Sequence, residues 1–260
     1  MKNIVISLLL TFSAAGHATL VEQELDYQSD DTTLKGFIAY DDAQKGKRPG
    51  VLVVHEWWGH NEYARARARK LAKLGYVALA VDMYGDGKLA NHPDEANKFS
   101  SEIAKNMPLG KSRFIAAMAA LKNNRATDAD KIAAIGYCFG GAVVLQMARE
   151  GVELDGVVSF HGSLGTPAPA QPGAVKAKVL VAHGGADPFV PGEHILGFIN
   201  EMNKAGADYQ LEIYGGAKHS FTNPGADKVG EQFGLPLEYS QQADAASWAE
   251  MKRFFDRIFK

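Results

Sequence analysis

Residues 132–147, IAAIGYCFGGAVVLQM, constrain this chain more than any other stretch. The apolar run Ile132 to Ile135 reads as a buried strand. It enters the turn Gly136-Tyr137-Cys138-Phe139-Gly140-Gly141, and a small-residue helical pattern follows from Ala142 to Ala148. A strand that reverses into a helix within a few residues needs neighbours without side chains, because the two elements approach closely there. The pattern G-x-C-x-G supplies them and sets a nucleophile at the apex, as in a nucleophile elbow with cysteine in place of serine. The chain has one cysteine and 27 glycines in 260 residues. Glycines at both flanking positions would therefore arise by chance about once in 100 times against ordinary composition. The competing reading of Cys138 is a buried structural thiol at a strand-to-helix junction.

Short apolar runs recur along the chain and alternate with helical spacing. Leu25 to Tyr27 and Leu34 to Tyr40 read as a hairpin about Asp30-Asp31. Val51 to His55, Tyr76 to Val81, Lys131 to Ile135, Asp155 to Phe160, Lys178 to His183 and Tyr209 to Tyr214 read as strands. Helices are expected over Glu62 to Leu74, Pro93 to Asn106, Gly110 to Asn123, Glu193 to Ala205 and Ala243 to Ile258, the second and third split near Pro108. Strands that are apolar throughout, each followed by a helix, predict an α/β fold. Its mostly parallel central sheet would carry helices on both faces.

Lys2, the apolar run Ile4 to Phe12 and the small-residue segment Ser13 to Ala18 form the pattern of a secretory signal peptide. Residues 1–18 would be removed, leaving one domain over residues 19–260 in the periplasm or outside the cell. No later segment reads as membrane-spanning, so no membrane association is expected after cleavage. A lone thiol in an oxidising compartment is open to sulfenic acid and mixed-disulfide formation, which favours a chemical role for Cys138. The net charge of -2 gives no reason to expect nucleic acid as a partner. The run Arg65, Arg67, Arg69, Lys70 spreads around a predicted helix and reads as solvated surface.

The polar residues of interest stand just after strand ends, where open α/β sheets place their sites. Cys138, Asp187 and His219 occur in the order nucleophile, acid, histidine, which is that of α/β-hydrolases. The histidine would take the thiol proton, and the carboxylate would fix its tautomer and support its charge. An oxyanion would be held by the backbone N–H groups of Phe139 and Trp57. Glu56 would be buried near the thiol, bonding it or titrating with it, against the competing reading of a salt bridge to a nearby arginine. Trp57, Trp58 and Tyr84 are candidates for the pocket wall, against ordinary core packing. His161 and His183 end buried strands and read as satisfied structural histidines. His55, Glu56 and His60 lack the H-E-x-x-H register, so neither a metal nor any other cofactor is expected.

Five motifs together resemble the dienelactone hydrolase family of the α/β-hydrolase superfamily. They are His55-Glu56-Trp57-Trp58-Gly59, Asp82-Met83-Tyr84-Gly85, Gly136-Tyr137-Cys138-Phe139-Gly140-Gly141, Gly184-x-x-Asp187-x-x-Val190-Pro191 and His219-Ser220-Phe221. The resemblance runs from about Leu25 to Lys260. It implies a Cys138-His219-Asp187 triad, oxyanion donors at Trp57 and Phe139, and a Glu56 that contacts the thiol and keeps it protonated until substrate arrives. It also implies a small-molecule ester or lactone as substrate, with carboxymethylenebutenolidase-like activity. In the family's prototypes two arginines grip a substrate carboxylate. Here those places carry Asp86 and Asn223, which argues against dienelactone itself. Other acyl hydrolysis on the same triad, of a thioester or a short peptide, is the alternative within enzymes. A binding or redox-responsive protein on a hydrolase scaffold is the alternative outside them.

Overall fold

The computed structural model describes residues 20–260, so the expected signal peptide at residues 1–18 lies outside the described residues. Strands β1 (Leu20–Ser29) and β2 (Thr32–Asp41) pair antiparallel and close over Asp30-Asp31. Asp30 takes a φ of 50°, a left-handed geometry that aspartate tolerates in tight turns. Then follow β3 (Arg48–Val54), α1 (Glu62–Ala72), β4 (Val77–Val81), α2 (Pro93–Lys105) and α3 (Met107–Lys122). Next come β5 (Thr127–Tyr137), α4 (Phe139–Arg149), β6 (Gly156–Phe160) and β7 (Lys178–Gly184). The chain ends with α5 (Gly192–Ala205), β8 (Tyr209–Tyr214), α6 (Ala226–Phe233) and α7 (Gln241–Ile258).

The helices after β4 and the segment after β8 differ from the sequence expectation. The break between α2 and α3 falls at Asn106, whose side chain caps α3 by accepting from the Leu109 N–H at 3.3 Å. Pro108 sits in the first turn of α3, where its missing N–H leaves no bond unmade. The short helix α6 was not expected at all. It is only eight residues long and carries Gly230, whose close neighbours are the carbonyls of Leu235 and Leu237.

The strands form one sheet in the order β1-β2-β4-β3-β5-β6-β7-β8. β2 runs antiparallel to both its neighbours, and β4, β3, β5, β6, β7 and β8 run parallel to one another. Consecutive residues of β3 face opposite cores. Leu52 and Val54 pack with Leu79, Phe114, Leu121 and Met147 on one side, and Val51 and Val53 with Leu71, Ile135, Phe254 and Phe255 on the other. Both faces are covered, which is why these strands are apolar at every position. All parallel strands point the same way, so the loops carrying Glu56, Asp82, Cys138, His161, Asp187 and His219 emerge at one edge of the sheet.

The basic run on α1 divides into two environments. Arg65 pairs with Glu24, and Arg69 with Glu22 and Glu62, at the surface as expected. Arg67 does not lie on the surface. Its side chain is 4% exposed and bonds Asp244 of α7 at 2.7 Å and the Thr222 carbonyl. Its guanidinium stands 5.2 Å from the Tyr63 ring, 5.3 Å from Tyr137 and 5.4 Å from Trp248. A charge pattern could not separate this position from its neighbours, because Tyr137 and Trp248 of the aromatic cage come from β5 and α7, far away in the chain. Arg67→Met would strand Asp244 and is expected to cost about 3 kcal/mol or more, the scale for breaking a buried pair. Chemical unfolding measures this, and an unchanged midpoint would remove Arg67 from the framework.

Candidate active site

Cys138 links β5 to α4 with φ 52° and ψ −116°, a strained geometry for any residue with a Cβ. The glycines around it are there for space. A Cβ on Gly136 would lie 2.0 Å from the Gly140 carbonyl oxygen, and one on Gly140 would lie 2.3 Å from that of Val54. The Gly140 N–H donates to His55 O at 3.1 Å, which ties the start of α4 to the loop after β3.

The Cys138 N–H is shared between Phe160 O at 3.0 Å and His161 Nδ1 at 3.1 Å. Because His161 Nδ1 accepts, its Nε2 carries the hydrogen and donates to Thr222 Oγ1 at 2.7 Å. Thr222 Oγ1 is also 2.6 Å from the Tyr63 hydroxyl. Burial holds His161 well below its ordinary pKa, so the ring stays neutral in this chain of bonds. His161 is thus the satisfied structural histidine expected, and it braces the elbow. His183 is buried as well, but its Nδ1 has no partner among the described residues.

Asp187 sits in the turn after β7. Its Oδ1 accepts from the Phe189 N–H at 2.9 Å, and its Oδ2 accepts from His219 Nδ1 at 2.7 Å. His219 lines the same cavity as Cys138. Burial pulls the imidazole pKa down, but a negative Cys138 and the Asp187 bond outweigh it and push it up to about 10. The ring is also packed edge to face by Phe189, with centroids 5.0 Å apart.

Glu56 is 2% exposed. Ser220 Oγ donates to one of its oxygens at 2.8 Å and Asn223 Nδ2 to the other at 2.7 Å. Burial raises its pKa, and the two donors oppose that rise. Neither expected partner is the one found. Among the described residues no hydrogen bond joins Glu56 to Cys138, and Arg67 is engaged by Asp244 and Thr222. Ser220 reaches Glu56 from a φ of 58°, next to His219.

A cavity of about 320 Å³ opens over Cys138 and His219. Its wall is mostly apolar and includes Trp57, Phe139, Ala142, Val190, Leu235 and Leu237. The dienelactone hydrolase family model matches residues 34–259. The chain belongs to the dienelactone hydrolase family. It is thereby a hydrolase of that family's ester- and lactone-cleaving class. The solved structure of a protein designated m3DLH is 38% identical, covers 93% of this chain and 99% of its own, and superposes with a TM-score of 0.87. A dienelactone hydrolase-like promiscuous phosphotriesterase, P91, from metagenomic libraries is 35% identical over 93% of this chain and 99% of its own, with a TM-score of 0.85. A Yersinia pestis protein provisionally named carboxymethylenebutenolidase is 31% identical over 72% of this chain and 74% of its own.

Trp58, Tyr84, Asp86 and Asn223 do not line the cavity over Cys138. Trp58 and Asn223 line a separate cavity with Phe233, and Asn223 is bound to Glu56. Tyr84 packs behind the site on His55 and Phe139, and its hydroxyl donates to Trp57 O at 2.9 Å. Asp86 is exposed and stands 3.7 Å from the Lys88 ammonium. Of the three aromatic candidates only Trp57 lines the cavity over Cys138. The family-like Asp82 serves its own loop, accepting the N–H groups of Tyr84 at 2.9 Å and Gly85 at 2.8 Å on one oxygen. Its other oxygen accepts those of Lys35 at 3.0 Å and Gly87 at 2.8 Å. Residues absent from the sequence reading, Leu235 and Leu237 above all, join the wall because Leu237 pairs with His219 as an isolated bridge. Among the described residues no cluster of His, Cys, Asp and Glu is arranged to hold a metal ion. His55 instead links two loops, Nδ1 to Glu56 O at 2.5 Å and Nε2 from the Met83 N–H at 3.3 Å. Burial lowers its pKa to about 4 and keeps it neutral.

Proposed function

We propose that this protein cleaves a carboxylic ester or lactone through Cys138, His219 and Asp187, with a thioester acyl-enzyme. The observation that carries the reading is the 2.7 Å bond from His219 to Asp187, made by a histidine that shares one small cavity with a cysteine on a strained elbow. The Cys138 sulfur attacks the carbonyl carbon, and the carbonyl π electrons move to oxygen. Two N–H groups receive that oxyanion, from Phe139 at the start of α4 and from Trp57. What supports them is that neither N–H has another hydrogen-bond partner among the described residues. His219 then gives its proton to the leaving alkoxide as the C–O bond breaks.

The basicity of His219 follows the charge on Cys138. While Cys138 is a thiolate, its charge helps hold the His219 proton. A thioester is neutral, so acylation removes that support and leaves an imidazole able to take a proton from water. The hydroxide attacks the thioester, and the thiolate leaves with His219 protonated again. Asp187 keeps the ring in register through both halves. Residues 1–18 are read as an export signal, so the reaction is placed outside the cytoplasm.

The test is a covalent trap. Incubation with a slowly deacylating activated ester, followed by intact-mass and peptide mass spectrometry, is expected to place one acyl group on Cys138. An unmodified Cys138 with no ester cleaved would instead favour the binding-protein reading, and an unmodified Cys138 under turnover would mean a different nucleophile.

A further inference from the structure

The surroundings of the cavity over Cys138 point to a substrate class. We infer that the acyl part of the substrate is uncharged and mainly apolar, and that acyl groups bearing a carboxylate are excluded. The inference rests on the hydrolase reading above and goes beyond it. No lysine or arginine is among the residues lining the cavity. Four cations of the neighbouring loops and of α1 and α3 have other partners. Lys218 binds Glu238 at 2.6 Å, and Lys88 stands 3.7 Å from Asp86. Arg113 donates to Met83 O at 2.8 Å, and Arg67 is closed in by Asp244 and Thr222. Beside the triad's own Asp187, Glu56 is a second buried carboxylate, bonded to Ser220 next to His219, and an anionic acyl chain would meet no free lysine or arginine in the cavity wall.

The neutral polar groups are few. Outside the triad the lining has three hydroxyls, Ser100, Ser101 and Ser163. Ser100 donates to Ala96 O at 2.7 Å and Ser101 to Asn97 Oδ1 at 3.3 Å, both within α2. Ser163 is left as the one hydroxyl not engaged within α2. The rest of the lining includes Trp57, Phe139, Val190, Leu235 and Leu237. A volume of about 320 Å³ is at the small end for ligand pockets. Transfer of an apolar chain into such a wall is favourable, whereas burial of a carboxylate there has no paired counter-charge to offset desolvation.

The experiment compares 4-nitrophenyl hexanoate with the 4-nitrophenyl monoester of adipic acid. They share a leaving group and a six-carbon acyl chain and differ in the terminal carboxylate. The full chain after signal removal is expected to favour the hexanoate in kcat/KM by about 50-fold or more, each tenfold being about 1.4 kcal/mol. Ala104→Lys adds a cation at the exposed rim of the cavity on α2. It is expected to narrow that ratio at least about fivefold, and less in high salt. Equal kcat/KM for the two esters would overturn the inference and leave the triad reading intact. A preference for the adipate, or no cleavage of the hexanoate, would overturn it too. Cys138→Ala separates the two failures, because hexanoate hydrolysis that survives this change removes the triad reading itself.

Discussion

Cys138→Ala is expected to lower kcat/KM for 4-nitrophenyl hexanoate by at least about a thousandfold while leaving the unfolding midpoint close to wild type. In the proposed mechanism this change removes the atom that forms the thioester, and only binding and the proposed oxyanion donors remain. The retained stability follows from the surroundings of the side chain. Cys138 is half-buried and opens into the cavity, so removing its sulfur leaves no closed void. Alanine keeps the Cβ and bears the same strain at φ 52° as cysteine does. His219→Ala is expected to lose activity on a comparable scale, and the double variant little more than either single one, because the two side chains act as one unit. His219→Ala should also slow alkylation of Cys138 at neutral pH, since the imidazolium that stabilises a thiolate is gone. Steady-state rates on purified variants decide the matter. Hydrolysis by Cys138→Ala within tenfold of wild type would exclude the thiol as nucleophile, and multiplicative losses in the double variant would show that the pair is not coupled.

The parts of this fold that were legible in the sequence are those where one local rule has one solution. Gly136 and Gly140 are required by backbone atoms a few residues away, so the elbow can be read from a hexapeptide. The strands β3, β4, β6 and β7 read as continuous apolar runs because helices cover both faces of the sheet. The order of Cys138, Asp187 and His219 is visible because each follows a strand end. The parts that were not legible depend on residues far apart in the chain. Glu56 meets Ser220 and Asn223, 164 and 167 positions away. Charge patterning on α1 placed Arg67 with its exposed neighbours, whereas Tyr137, Trp248 and Asp244 enclose it. Leu235 and Leu237 stand in a polar-looking segment after α6 and reach the cavity wall through the pairing beside His219. Asn223 was assigned to the pocket from the resemblance alone. In the fold its amide faces Glu56, and the same residue lines the neighbouring cavity.

Gly136→Ala is expected to have the largest effect on stability of any single methyl addition in the sheet. The added Cβ would stand 2.0 Å from the Gly140 oxygen, 2.3 Å from its carbonyl carbon and 2.7 Å from the Gly141 nitrogen. All three are backbone atoms at the start of α4, so no side chain can swing aside. Relief would need α4 to move off β5, and α4 is held there by the Gly140 N–H bond to His55 O at 3.1 Å. Val143, Val144 and Met147 also fix it in the core. Overpacking of this kind exceeds the usual range of about 1–3 kcal/mol, because backbone rather than rotamers must shift. The control is Gly197→Ala on α5, where a Cβ meets nothing within 4 Å. There alanine is expected to stabilise by about 0.5–1 kcal/mol through helix propensity. Thermal and chemical unfolding of the two variants should therefore move in opposite directions. If Gly136→Ala is as stable as Gly197→Ala, the close approach at the elbow does not hold α4 in place. If it folds with a lowered midpoint, its activity should fall further than its folded fraction, because moving α4 would also displace the Phe139 N–H proposed to receive the oxyanion.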